Sequence, residues 1–239
     1  MSSHGSTTRV VLFDFRKAFD LIDHHVVARK LSSYDISRSI SCWITDFLMD
    51  RKQRIKLSLD CFWEWEAVPA GVPQGTKLGP WLFLIMINDL SVADTILWKY
   101  VDETTLVESV SKNETSYMQL RVNELVRQSE ADGFQLNESK CKELRISFSI
   151  SGSSVDHITI NDKQIEVVSS GKLLGVVVSY NLRWKEHLES MCKKAATRLY
   201  FLKQLKRAKV PPKDMLLFYT TCIRPVLEYA CPVFHHSLP

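Results

Sequence analysis

Two carboxylates stand side by side in an apolar, β-branched run: WKYVDETTLV, Trp98 to Val107, contains Asp102 and Glu103. Such a run forms a strand or a hairpin of two strands, and adjacent side chains of a strand point to opposite faces. One of the two acids should therefore face inward, where a charge is costly unless it is paired or holds a cation. A second short apolar run, RVVLFDF (9–15), reads as a buried strand that carries another acid, Asp14, near its end. Two antiparallel strands can bring Asp14 to the Asp102–Glu103 pair across a long stretch of sequence. Three clustered carboxylates repel one another unless a cation neutralises them. Oxygen-only ligands suit Mg²⁺, and two such ions can clamp an in-line phosphoryl displacement. The residues alone leave two readings open: a metal centre, or a surface acid beside a turn or cap.

The remaining pattern alternates strands and helices. Asp23 can cap a helix through HHVVARKLSSY, and Ser37 a second helix whose Ile40, Ile44, Phe47 and Leu48 share one face. QRIKLSL (53–59) and FWEWEAV (62–68) alternate around a tight turn and predict a hairpin. GVPQGTKLGP (71–80) is a loop, and Pro80 opens a helix through WLFLIMINDL. Asn113 can cap a helix of about five turns that ends near Gly133. ELRISFSI (143–150) and GKLLGVVVS (171–179) each read as one strand, and HITINDKQIEVV (157–168) as a hairpin turning at Asn161–Asp162. Long helices over 184–207 and 211–230 follow, separated by VPP, and Arg224–Pro225 interrupts the second. Interleaved strands and helices up to about residue 180, then helices alone, predict an α+β core with a helical appendage.

With 239 residues the chain suits one large domain or two modest ones. Its longest apolar run, WLFLIMI (81–87), is too short to span a bilayer, so no membrane partner is expected. The first residues lack signal-peptide organisation, and the six cysteines form no CxxC or zinc-spaced cluster. The expected location is intracellular, in nucleus or cytoplasm, with reduced thiols. Charge is uneven: residues 60–110 hold eight acids against two bases, and residues 183–213 hold ten bases against two acids. That arrangement suits a metal-using enzyme that grips a polyanion, and equally suits ordinary solvated helices.

Six segments carry a resemblance. VLFDFRKAFDLIDH (11–24), GVPQGTKLGPWLFLIMINDL (71–90), KYVDETTL (99–106), LNESKCKEL (136–144), KLLGVVVSYNLRWKEHLESMCKKAATRLYFLKQLKR (172–207) and YTTCIRPVLEYACPVF (219–234) resemble, in order, motifs of the reverse transcriptase of non-LTR, LINE-type retrotransposons. The resemblance implies a polymerase palm over residues 1–180, an antiparallel sheet with packed helices, followed by a mainly helical thumb over 181–239, with the fingers truncated and mostly absent. It implies an RNA-directed DNA polymerase that transfers nucleotides from deoxynucleoside triphosphates to a DNA primer 3′-hydroxyl on an RNA template. Two Mg²⁺ ions, or Mn²⁺, would be held by Asp14, Asp102, Glu103 and the backbone carbonyl of Phe15. Lys140 would act catalytically by protonating the leaving pyrophosphate. Phe19 would exclude a 2′-hydroxyl, its alternative being a core phenylalanine. Gln74 and Gly75 would meet the nucleotide or template, the alternative being a plain turn. Leu174 and Gly175 would form the primer grip, and Lys194, Arg198 and Arg207 would follow a nucleic-acid backbone through salt-sensitive contacts.

Three departures from the family pattern bear on activity. Glu103 stands where the family has a second Asp, and its extra methylene moves the carboxylate in a site where Mg²⁺ tolerates little misplacement. The family's fingers and endonuclease lie upstream of the first catalytic strand, outside this sequence. No Cys/His cluster follows the thumb segment. Weakened activity is the resulting expectation. The competing readings are a catalytically dead nucleic-acid-binding remnant and a decayed retroelement fragment. A metal-dependent nuclease fits the carboxylates, but the order of the PQG loop and primer-grip segments favours a polymerase.

Overall fold

The first apolar run folds as strand β1 (Thr7–Phe13), in which fully buried side chains alternate with half-buried ones. The computed structural model describes residues 6–111, 114–147 and 155–237. Asp23 accepts hydrogen bonds from the amides of His25 and Val26 and so caps α1 (His24–Leu31). Ser37 occupies the N-cap of α2 (Arg38–Leu48) without a side-chain cap bond, and Ile40 on the expected apolar face is exposed while Ile44 and Leu48 are buried. The next hairpin is brief: β2 (Lys52–Gln53) and β3 (Glu66–Ala67) pair over two positions. A loop then leads into α3 (Leu78–Asn88), with Pro80 in its first turn, where a missing amide costs nothing.

The acid pair lies on the hairpin of β4 (Leu97–Tyr100) and β5 (Glu103–Val110). Helix α4 (Met118–Ala131) starts later and is shorter than the sequence predicts. Glu108, buried in β5, accepts hydrogen bonds from the Tyr117 amide and the Ser116 hydroxyl, which holds those residues out of the helix. The expected cap, Asn113, lies outside the described residues. Strand β6 (Lys142–Ser147) is followed by a small hairpin of β7 (Thr159–Ile160) and β8 (Lys163–Gln164). Its turn residues Asn161 and Asp162 both have positive φ, 49° and 59°, as a two-residue hairpin turn demands. Strand β9 (Glu166–Val168) then lies parallel to β6. The main sheet has the order β4-β5-β1-β6-β9.

The segment 171–179, predicted as one strand, is a hairpin. Strand β10 (Ser170–Leu173) turns at Leu174–Gly175, with φ 46° and 83°, into β11 (Val176–Ser179). It forms a separate two-stranded sheet. The long helix α5 (Lys185–Arg207) follows, then α6 (Pro212–Phe218), a π-helical turn over Tyr219–Ile223, α7 (Arg224–Glu228) and α8 (Cys231–Phe234). The π-turn lies just before Pro225, whose missing amide cannot continue the regular ladder, so the predicted interruption is realised as an expanded turn.

One face of the main sheet carries Val11, Phe13 and Leu106, which pack with Val27, Leu31, Phe83, Met86, Val122 and Leu125 from α1, α3 and α4 in a continuous core. The β10–β11 turn reaches the start of β5, where the Leu174 amide meets Glu103. Among the described residues no helix is long and apolar enough to cross a membrane.

Candidate functional site

The pairing Tyr100↔Glu103 leaves Val101 and Asp102 as the two-residue turn between β4 and β5. Val101 has φ 53°, a left-handed conformation that is a genuine outlier for a β-branched residue. Such strain persists only where the surroundings over-determine it. Lys99 supplies one constraint: its Nζ donates to the carbonyls of Ile87, Asn88 and Leu90 at 3.0, 2.8 and 2.8 Å, tying β4 to the C-terminal end of α3. Burial holds the Lys99 pKa below the usual lysine value, with Asp89 opposing that shift and Lys30 adding to it. The expectation that one acid faces inward is not met. Asp102 and Glu103 are both exposed, because they straddle the junction of turn and strand, not the strand interior.

The register Phe13↔Thr104 carries one step further to place Asp14 opposite Glu103. Both line a cavity of about 370 Å³ together with Lys140, Lys142 and Lys172. Oδ1 of Asp14 is buried and has no hydrogen-bond donor, and the Lys140 ammonium stands 3.6 Å away. A buried carboxylate oxygen is costly unless a cation faces it; the Lys140 ammonium is that cation here, and a metal ion bound at Asp14 would meet the same need. Its backbone is fixed from behind: the Asn137 amide donates to the Asp14 carbonyl at 2.8 Å, and Cys141 Sγ approaches the same oxygen at 4.0 Å. Phe15 is buried, bridges to Leu136 and packs on Phe134, which anchors the strand end.

The three-carboxylate cluster expected from the sequence does not form. Among the described residues no three His, Cys, Asp or Glu side chains are grouped closely enough to hold a metal ion. The cavity holds two of the acids, and Asp102 on the adjoining turn is outside its lining. The Glu103 carboxylate is engaged elsewhere: Oε2 accepts a hydrogen bond from the Leu174 amide at 3.0 Å.

Phe19 is partly buried and stacks on Phe83, centroids 4.5 Å apart, and does not line the Asp14 cavity. The PQG loop docks on the same segment. Val72 donates to the Phe19 carbonyl, Gly71 to that of Ile22, and His24 Nε2 contacts the Gly71 carbonyl at 2.8 Å. Gly71 is required there: its φ is 87°, and a Cβ would lie 2.7 Å from the Asp20 carbonyl oxygen. Gln74 reaches Asp20 Oδ1 at 3.2 Å, and the neighbouring Gly75 has φ 82°. Neither lines the Asp14 cavity.

Leu174 and Gly175 form the turn predicted as the primer grip. Its neighbour is a second cavity, about 300 Å³, between β10–β11 and the C-terminal helices, lined among others by Lys172, Gly175, His187, Lys194, Arg198 and Tyr229. Lys194 and Arg198 therefore share one basic wall, and the Arg198 guanidinium also donates to the Cys222 carbonyl. Arg207 sits apart at the exposed end of α5. Sequence reasoning missed two residues here. The Tyr229 hydroxyl donates to the Leu174 carbonyl at 2.6 Å. His187 is buried, its Nδ1 accepts from the Val177 amide at 3.3 Å, and its Nε2 has no partner. Burial, and secondarily Lys194, hold the His187 pKa below the usual histidine value. Both residues lie within the quoted resemblance segments, but only the fold brings Tyr229 across to the turn.

Comparison with known proteins bears on this geometry. The family model described as reverse transcriptase (RNA-dependent DNA polymerase) matches residues 1–178. A model described as alkylated DNA repair protein alkB homolog 8, N-terminal, matches residues 184–224. RNA-directed DNA polymerase from mobile element jockey of Drosophila funebris is 25% identical over 92% of this chain, and its Drosophila melanogaster counterpart 23% identical over 70%. The chain spans 25% and 19% of the length of these two relatives. The Pol polyprotein from the type-1 retrotransposable element R2 of Popillia japonica is 33% identical over 35% of the chain and 12% of its own length. Among solved structures, telomerase from Candida tropicalis in complex with a fragment of telomeric RNA superposes with TM-score 0.54 at 13% identity, covering 99% of this chain and 40% of that one. Apo telomerase from the same organism gives TM-score 0.51 at 16% identity, covering 74% of this chain and 35% of that one. These likenesses show a palm-and-thumb polymerase fold.

Proposed function

This chain belongs to the reverse transcriptase (RNA-dependent DNA polymerase) family, and we propose that it is the polymerase module of a LINE-type retroelement, adding deoxynucleotides to a DNA primer on an RNA template. The single observation that carries this reading is Asp14. It sits at the end of the central strand, with its buried carboxylate oxygen faced by the Lys140 ammonium at 3.6 Å, across from the acid-bearing hairpin.

The family uses divalent metal ions. In this proposal Asp14 and Asp102, with the Phe15 carbonyl, would hold them, and a bound metal would supply activation of the primer hydroxyl and neutralisation of phosphate charge. The chain's own residues account for the rest. Lys140, 3.6 Å from Asp14, can hold a proton near the leaving pyrophosphate and offset its negative charge. The strained Val101 turn fixes Asp102 in place. The PQG loop, pinned on residues 19–24, presents Gln74 and Gly75 to nucleotide or template. Phe19 backs that segment, with its ring seated on Phe83. Lys172, Lys194 and Arg198 contribute sequence-independent attraction for a phosphate backbone that weakens with salt. The telomerase neighbour was solved with a fragment of telomeric RNA, which agrees with RNA as a partner.

Extension of a labelled DNA primer on an RNA template tests the reading, with products sequenced to show template dependence. Incorporation that disappears in Asp14→Asn supports it. A second reading, nucleic-acid binding without catalysis, rests on Glu103, whose carboxylate is engaged by the Leu174 amide. Salt-sensitive binding of the primer–template with no incorporation under Mg²⁺ or Mn²⁺ would select it.

A further inference from the structure

The turn Leu174–Gly175 is held by both of its outward backbone groups. The Leu174 amide donates to Glu103 Oε2 at 3.0 Å, and the Leu174 carbonyl accepts from the Tyr229 hydroxyl at 2.6 Å. Leu174 itself adopts φ 46°, a conformation that a side chain with a Cβ resists and that needs external support. Close packing supplies that support only in part. A Cβ on Gly171 would lie 2.9 Å from Leu12 Cδ1, but an apolar cavity of about 290 Å³, lined by Val10, Leu12, Trp98, Leu144, Leu173 and Leu174 among others, lies between the hairpin and the sheet. The hairpin belongs to a different sheet from the one that carries Asp14, so no backbone ladder fixes its position on the palm. The Tyr229 ring closes the other side: a Cβ on Gly175 would lie 3.1 Å from its Cε1.

We infer that Glu103 is a positioning residue, a latch that fixes the Leu174–Gly175 turn to the catalytic hairpin, with Tyr229 fastening the same peptide to the C-terminal helices. The longer glutamate side chain then has a reason. It carries the carboxylate to the Leu174 amide, a reach that aspartate lacks by one methylene. The requirement at position 103 is a hydrogen-bond acceptor of glutamate length, not a negative charge at a metal. The consequence for a primer end rests on the polymerase reading above; the latch itself does not.

The two roles predict opposite orders for the same variants. A metal ligand keeps its function in Glu103→Asp and loses it in Glu103→Gln. A latch keeps its function in Glu103→Gln, whose amide oxygen also accepts, and loses it in Glu103→Asp and Glu103→Ala. Hydrogen exchange of the Leu174 amide, followed by mass spectrometry, reads this without any assay of activity. Exchange should rise by about threefold to tenfold in Glu103→Asp and Glu103→Ala, the effect of one lost hydrogen bond, and stay within about twofold of the parent in Glu103→Gln. Tyr229→Phe should accelerate exchange across the turn. In primer extension, Glu103→Asp should raise KM for primer–template more than it lowers kcat, and Glu103→Gln should restore KM. Unchanged exchange in Glu103→Ala, or Glu103→Gln exchanging as fast as Glu103→Ala, would overturn the latch whatever the extension assay gives. Loss of incorporation in every protein, parent included, would instead count against the polymerase reading and leave the exchange result standing.

Discussion

Glu143→Gln offers the sharpest test of how the palm is held in register. Glu143 is fully buried on β6 and accepts from Arg9 Nε on β1 at 2.6 Å and from Arg145 at 2.9 Å. Arg9 is almost as buried and also donates to Ser116 Oγ and the Asp156 carbonyl. This network pins β1 against β6, and the register of β1 decides that Asp14 meets Glu103. Gln keeps the shape but leaves the Arg9 guanidinium with neutral acceptors. Breaking a buried pair from one side costs about 3–5 kcal/mol, against a typical total stability of about 5–15 kcal/mol. With a urea dependence near about 3 kcal/mol per molar for a chain this size, the midpoint should fall by about 1 M or more. The double variant Arg9→Met/Glu143→Leu removes both charges and should lose less than Glu143→Gln alone, since apolar replacement of a buried pair is often close to neutral. Urea unfolding followed by circular dichroism measures all three proteins. A Glu143→Gln midpoint within about 0.2 M of the parent, equivalent to about 0.6 kcal/mol, would refute the reasoning. So would a double variant less stable than the single.

Three further outcomes follow from local environment. Burial pushes the Cys141 thiol up to about 11, so at pH 8 a thiol reagent should modify the exposed Cys42, Cys61 and Cys192 and spare Cys141 in the folded protein; equal labelling of Cys141, seen by mass spectrometry, would contradict its placement. His187 titrates below its usual value when folded, so as pH falls from about 6.5 the unfolded chain takes up a proton first and stability drops; thermal melts at pH 7.5 and 5.5 should show that loss, and His187→Phe should reduce it. Gly175→Ala forces a side chain into left-handed backbone against the Tyr229 ring and should cost about 1–2 kcal/mol in the same urea assay, where no change would argue against the turn as described.

Much of the fold was legible in the sequence. The apolar runs at 9–15 and 98–107 announce β1 and the β4–β5 hairpin, and Asp23 and the Asn161–Asp162 turn carry side chains suited to their local geometry. The failures have a common cause in tertiary contacts. The hairpin at 170–179 was hidden because Leu174 occupies a turn position that normally advertises itself with Gly or Asn. The late start of α4 depends on a buried Glu108, which the sequence shows only as one of eight acids in residues 60–110. Arg9 and Glu143 sit on the core face of strands whose apolar pattern gave no hint of a buried charge pair. At the site, Lys140 stands 3.6 Å from Asp14, whereas Glu103 turns to a backbone amide. Its partner, and Tyr229 beyond it, lie 71 and 55 residues from their contacts in the chain, a relation that no local pattern encodes.

The central claim is that Asp14 and Asp102 together serve nucleotide addition on an RNA template. Single-nucleotide incorporation into a DNA primer, measured for the parent, Asp14→Asn and Asp102→Asn with Mg²⁺ and with Mn²⁺, tests it most directly. The account predicts template-directed addition by the parent and at least about a hundredfold loss in each variant, with primer–template affinity unchanged within about threefold. Incorporation that survives either substitution, or a parent that binds the duplex and adds nothing with either metal, would contradict it.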